Sequence, residues 1–152
     1  MARNTIKLKK YQDIVIERAA GGTITPGMLL SLGSANTVVA HATASGNATP
    51  KMFALEDELQ GNEIGDDYSS GNLVFVWVCQ PGEVAYAILK DGESVSIGDP
   101  VESAGDGTLQ AMALDSTGVY YTEQIVGIAF EALDLTGSSG EEPTQHVPIM
   151  IV

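Results

Sequence analysis

One cysteine, two histidines and seven basic residues in a chain of 152 limit the chemistry available before any pattern is read. Cys79 alone excludes an internal disulfide and any multi-cysteine zinc site. It also lies in the most apolar stretch, where burial raises a thiol's pKa and leaves it inert packing. His41 and His146 stand in short runs with no flanking motif, so a Ser-His or Cys-His nucleophile has little to be built from. Seven Lys and Arg against twenty Asp and Glu give a formal charge of −13, and a nucleic-acid partner would want a cation for each phosphate it touches. No apolar run approaches the ~20 residues of a membrane span. The first residues lack an apolar signal core and a cleavage site, so neither membrane insertion nor secretion is expected. Neither a phosphate-cradling glycine loop nor EF-hand spacing occurs, and Asp66-Asp67 and Gly105-Asp106-Gly107 read as solvated turns. No catalytic, cofactor or metal site is expected.

What the chain does have is glycine, 17 residues of it, and 44% hydrophobic residues in short runs. No stretch reads as a long amphipathic helix. Thr23 to Leu32 reads as a strand, a Pro26-Gly27 turn and a second strand; Thr37 to Thr43 follows as a β-branched run. Lys51 to Leu59 is mixed, with a short helix or turn expected late and stopped by Gly61; residues 62–71 are a polar loop. Leu73 to Cys79 (LVFVWVC) is unbroken and predicts a strand buried on both faces. Its second face needs another sheet or another subunit, so Leu73, Phe75, Trp77 and Cys79 are candidates for core or subunit interface. Pro81-Gly82 turns the chain into Val84 to Leu89, and Asp91-Gly92 is a hairpin signal. Strands are expected over Ser94 to Val101, Thr108 to Leu114, Val119 to Thr122, Gln124 to Ala132 and His146 to Val152, with a bulge at Gly127 and a loop over 136–143. Thr23 to Leu30 and Ser94 to Val101 echo each other, with Gly27 and Gly98 aligned at two sheet corners. The fold class expected is all-β: a small barrel-like or sandwich domain of short antiparallel strands.

Charge is divided unevenly. Residues 1–20 carry Arg3, Lys7, Lys9, Lys10 and Arg18 against Asp13 and Glu17, whereas the remainder carries only Lys51 and Lys90 against eighteen acids. Ile6, Leu8, Ile14 and Ile16 fall on even positions between Thr5, Lys7, Lys9, Asp13, Val15 and Glu17, a period of two that fits a strand, although Lys10 and Gln12 interrupt the apolar face. Two readings are open. Residues 1–20 are either a basic N-terminal arm that pairs with a partner's sheet edge, ahead of a β-rich domain at 21–152, or an ordinary first strand blunted by lysines. On the first reading Arg3, Ile6, Lys7, Leu8, Lys9, Lys10, Tyr11, Ile14 and Ile16 form the binding arm.

Phe53 to Gly61 (FALEDELQG), Ile64 to Leu73 (IGDDYSSGNL), Pro81-Gly82-Glu83, Gly98 to Gly107 (GDPVESAGDG) and Ile125 to Ala132 (IVGIAFEA), in this order, resemble the head decoration, or capsid cement, proteins of tailed bacteriophages. The resemblance covers about residues 50–130 and rests on the order of the pieces. It implies a compact β-domain similar in role to the lambda head decoration protein. Such a protein is made in the host cytoplasm and sits on the outer capsid surface as a homotrimer, clamping neighbouring copies of the major capsid protein. It also implies an N-terminal arm that adds a strand to a capsid-protein sheet, with no enzymatic activity and no cofactor. The alternative is a carbohydrate- or host-surface-binding module on the virion, for which Trp77, Tyr68, Tyr86, Tyr120 and Tyr121 would be stacking groups. A small hydrolase using His41 or His146 is a third reading.

Overall fold

A computed structural model describes residues 3–113, 117–118, 121–137 and 145–152. Within them the chain is all-β, as its short apolar runs and turn residues predict. Thirteen strands are present: β1 (Lys7–Lys9), β2 (Ile14–Ala20), β3 (Leu29–Leu32), β4 (Thr37–Ala40), β5 (Met52–Ala54), β6 (Leu73–Val78), β7 (Val84–Ile88), β8 (Ser94–Val95), β9 (Pro100–Ser103), β10 (Leu109–Ala111), β11 (Gly127–Ala129), β12 (Leu133–Asp134) and β13 (His146–Ile151). A single 3-10 turn, η1 (Glu58–Gln60), closes the mixed segment with Gly61 at its C-cap. The expected strand at 119–122 falls partly, and the loop at 136–143 largely, outside the described residues.

The strands form two layers. β2, β4, β3, β5 and β6 close into a barrel in that order, and β1, β7, β13, β11, β9 and β10 form a six-stranded sheet, with β12 and β8 as a separate pair. Closing the barrel removes its sheet edges, the usual solution to unpaired backbone in small β-domains. Ile16, Leu30, Val38, Met52, Val74 and Val76 fill its interior. A second core lies between the barrel's outer wall and the sheet, where Leu29, Phe53 and Trp77 meet Val101, Val147, Ile149 and Ile151.

This arrangement explains the unbroken apolar run of β6. Val74 and Val76 point into the barrel while Trp77 and Cys79 point at the sheet. Both faces are therefore covered by the same chain, and of the two expected covers for the second face, another sheet or another subunit, Trp77 and Cys79 meet another sheet. Phe75 is half-buried against the inter-layer core, and only Leu73, at the strand's end, stands in water.

Three other expectations change. Residues 7–9 and 14–20 are not separate from the domain: β1 pairs antiparallel with β7, and β2 pairs with β6 along its length and with β4 in parallel. Asp91-Gly92 does turn the chain, with Glu93 N–H donating to the Lys90 carbonyl at 3.1 Å. It joins β7 to β8 without pairing them, because β7 is occupied on both sides by β1 and β13. Gly127 is in regular register with Ile151 and Val101 rather than in a bulge. A Cβ there would lie 2.4 Å from Ile149 Cγ2 and 2.5 Å from the Met150 carbonyl oxygen, so the glycine permits close approach of β13.

The sequence echo corresponds to a shared turn. Met28 N–H donates to the Thr25 carbonyl at 3.0 Å and Asp99 N–H to the Ser96 carbonyl at 3.1 Å. Gly27 and Gly98 hold φ of +94° and +93° at the third position, where a type II turn requires the left-handed side.

Candidate functional site

The N-terminal segment carries most of the candidate binding residues, and body carboxylates hold it in place. Ile6 is fully buried, and its N–H donates to Glu56 Oε2 at 3.1 Å. Glu83, also fully buried, receives Tyr11 N–H at 2.8 Å and Gln12 N–H at 3.0 Å on Oε1, and Gln80 N–H at 2.8 Å on Oε2. Burial opposes its charge, but the N–H groups of Gln80, Tyr11, Gln12 and Asp13 together outweigh burial and hold the carboxyl below its ordinary value. The turn between β1 and β2 thus wraps a buried carboxylate.

The cations of the segment are engaged as well. Arg3 bridges to Glu131, donating Nη1 to Oε2 at 3.1 Å, and its guanidinium stands 5.6 Å from the Tyr86 ring. That hydrogen bond raises the arginine's pKa and lowers the glutamate's. Lys7 and Lys10 both pair with Asp13, at 2.7 and 2.6 Å, which holds that carboxyl low. Lys9 Nζ lies 5.8 Å from the Phe130 ring. Leu8 and Ile16 pack against the two cores, while Tyr11 is exposed and Ile14 partly so. In this chain the segment follows the second reading, a first strand of its own domain; among the described residues Arg3–Glu131 is the ion pair that joins its charge to the body, whereas Lys7 and Lys10 share Asp13 inside the segment itself. Arg3 meets Glu131 across 128 positions of sequence, a pairing that no local pattern reveals.

Both histidines join barrel to sheet. His41 Nε2 lies 3.1 Å from the Asn47 carbonyl, which only accepts, so Nδ1 is the acceptor for the Ser103 hydroxyl at 2.7 Å. This resembles the start of a Ser-His pair. The hydroxyl, however, is fully buried, accepts Gly105 N–H at 3.2 Å, and is absent from the lining of the small hollow beside His41. His146 donates Nε2–H to the Pro26 carbonyl at 2.9 Å and leaves Nδ1 buried without a partner. Burial lowers its pKa, so the ring is neutral. Cys79 is buried, which raises its thiol's pKa far above the usual range. Among the described residues no group of three or more His, Cys, Asp or Glu side chains is placed to hold a metal ion.

Three of the exposed apolar residues, Val15, Leu59 and Leu73, lie together on one flank, while others such as Leu32 and Ile97 lie elsewhere. Leu59 on η1, Phe75 and Leu73 on β6 and Val15 on β2 border two adjoining hollows of about 370 and 610 Å³. Sequence reading did not single out Leu59: its helical spacing from Met52 and Leu55 says nothing of whether anything covers it.

A solved structure shares this architecture. The base of the phi29 bacteriophage head fibre, "head fiber gp8.5 N base", superposes with a TM-score of 0.57 over 91% of this chain and 93% of that chain, at 16% identity. In fold the chain is similar to a phage head-fibre base. No protein-family model matches the sequence, and no curated protein matches it. Of the aromatic groups proposed for sugar stacking, Trp77, Tyr68 and Tyr86 are buried, Tyr121 is exposed, and Tyr120 lies outside the described residues. The glycan-module alternative therefore loses three of the five side chains on which it rested.

Proposed function

We propose that the chain is a non-enzymatic structural protein of a tailed-phage virion, seated on the outer surface of the capsid and bound to the major capsid protein. The observation that carries this reading is the match of 91% of the chain to the base of a phage head fibre. The ordered resemblance of residues 50–130 to head decoration proteins points the same way. A chain of net charge −13 stays soluble at high copy number and avoids packaged nucleic acid. Assembly as a homotrimer would multiply weak contacts by avidity, so that modest single-site affinity suffices to clamp neighbouring capsid proteins. With the N-terminal segment folded into the domain, attachment is assigned to an exposed face of the body rather than to a free strand.

Cosedimentation with empty heads of the phage that encodes the chain, stripped of it, tests the reading. Saturable binding with a gain in head stability is expected, and failure to bind removes it. Light scattering of the free protein is expected to give three times the 15.9 kDa chain mass. A second reading, that this domain is the base of a projecting fibre, is favoured by the neighbour's description as a fibre base. Electron micrographs of decorated heads separate the two: knobs for a decoration protein, fibres for a fibre base.

A further inference from the structure

The six-stranded sheet covers only one end of the barrel's outer wall. Along β6 the outward side chains Trp77, Phe75 and Leu73 pass from 0% exposed through half-buried to 50% exposed. Beside the bare end stands η1, whose Leu59 is 82% exposed, more than any other large apolar side chain of the described residues. The turn that presents it is well anchored. Asp57 accepts Gln60 N–H on its side chain, Gly61 N–H donates to the Glu58 carbonyl at 3.1 Å, and Asn62 N–H to the Asp57 carbonyl at 3.0 Å. A single exposed leucine is ordinary. Here the leucine is fixed at the junction of two hollows, both lined by Leu59 and Phe75. This is the form of an anchor site for an apolar side chain.

Charge identifies the occupant. The hollow on the Leu73 side is bordered by Asp57 and Asp67 with no lysine or arginine, and Glu58 lines the other. Lys7 and Lys10 line that hollow too, but they share Asp13 and stand with Glu56 and Glu58 in the same lining, so no excess of positive charge is left there. A second copy of this chain would bring its own large acidic excess to an acidic flank, since outside residues 1–20 it holds only Lys51 and Lys90. We infer that the Leu59–Phe75–Leu73 flank is the capsid-contact face, and that it takes a segment of the shell protein bearing apolar side chains next to lysine or arginine. The source of that segment rests on the virion reading above; its chemistry rests on the flank itself.

The test uses the full chain and stripped empty heads. Leu59→Asp and Leu73→Asp are expected to weaken cosedimentation roughly tenfold or more, as loss of anchor residues does. Leu32→Asp and Ile97→Asp, at exposed apolar positions outside both hollows, serve as controls and are expected to leave it within about twofold. Glu58→Lys is expected to weaken binding and flatten its salt dependence. Far-UV circular dichroism of each variant should match the wild type, because the replaced side chains are exposed. If the wild type binds heads and the Leu59 and Leu73 variants bind equally well, another face is used and the inference falls while the virion reading stands. A lower oligomer mass for Leu59→Asp in light scattering would make the flank a self-interface and also overturn it. If the wild type does not bind heads, both fall together.

Discussion

Gly27 and Gly98 adopt the same backbone shape but have different surroundings, so substitution separates backbone strain from packing. A Cβ on Gly98 meets nothing within 4 Å, whereas one on Gly27 would lie 2.7 Å from His146 Nε2 and 2.9 Å from the Tyr86 carbonyl oxygen. Gly98→Ala is expected to cost about 1–2 kcal/mol, the price of a positive φ alone. Gly27→Ala should cost about 3–4 kcal/mol once overpacking is added, as read by urea denaturation. Two buried titratable residues contribute to the acid behaviour. Glu83 has its pKa lowered in the fold, so the stability it contributes is complete above the ordinary value of 4.5 and is lost as pH falls through the folded value. His146 also has its pKa lowered, so stability is complete above 6.5 and declines as the unfolded chain takes up a proton that the buried ring refuses. Denaturation series across pH should therefore show a first decline beginning near 6.5, absent in His146→Gln, and a second below 4.5, reduced in Glu83→Ala but not abolished, because Asp13, Glu131 and Asp134 are also held low. At neutral pH Glu83→Ala should cost about 3 kcal/mol or more, because three backbone N–H groups lose a charged acceptor.

Among the elements, β2 is the one whose role differs most between a free arm and a closed barrel. It pairs with β6 from Ile14 opposite Val78 to Ala19 opposite Leu73, and through Ala19 and Ala20 with β4. Removing residues 1–18 strips most of this strand and exposes the edges of β4 and β6. It also takes Ile6 out of the inter-layer core. The truncated chain is expected to lose cooperative unfolding or to aggregate; a truncated protein with wild-type circular dichroism would mean that the barrel closes without β2. The strand itself was legible, since the β-branched run Ile14-Val15-Ile16 carries on the period of two set by Ile6 and Leu8. Its location was not. The acceptors that fix it, Glu56 and Glu83, lie 50 and about 70 positions away and read in sequence as two more members of an acidic surface. β6 shows the same limit: its burial on both faces follows from LVFVWVC, but whether the second layer is the same chain or another depends on non-local pairing. The Leu59 flank was illegible for a related reason, since helical spacing reports which residues share a face and not whether anything covers that face.

At the scale of the whole molecule, two layers with a shared core need not behave as two units. Leu29, Phe53 and Trp77 come from the barrel, yet they belong to the same core as Val147, Ile149 and Ile151 of the sheet. Polar contacts cross the same boundary, from His41 to Ser103 and from His146 to the Pro26 carbonyl. β1 lies in the sheet and β2 in the barrel, so the segment clasped by Glu83 ties the layers covalently. Neither layer could keep its inward face dry alone, and exposing a side chain the size of Trp77 or Phe53 would cost about 1.5–3 kcal/mol each. Barrel and sheet are therefore expected to unfold in one transition. Trp77 is the single tryptophan and is fully buried at the boundary, so its fluorescence reports on contact between the layers. In the native state it should resist aqueous quenchers. Its red shift in urea should coincide with the loss of the far-UV strand signal, since coincident probes are the signature of two-state behaviour. A tryptophan transition that precedes the strand transition would mean that the sheet separates from an intact barrel, and the layers would then have to be treated as independent bodies.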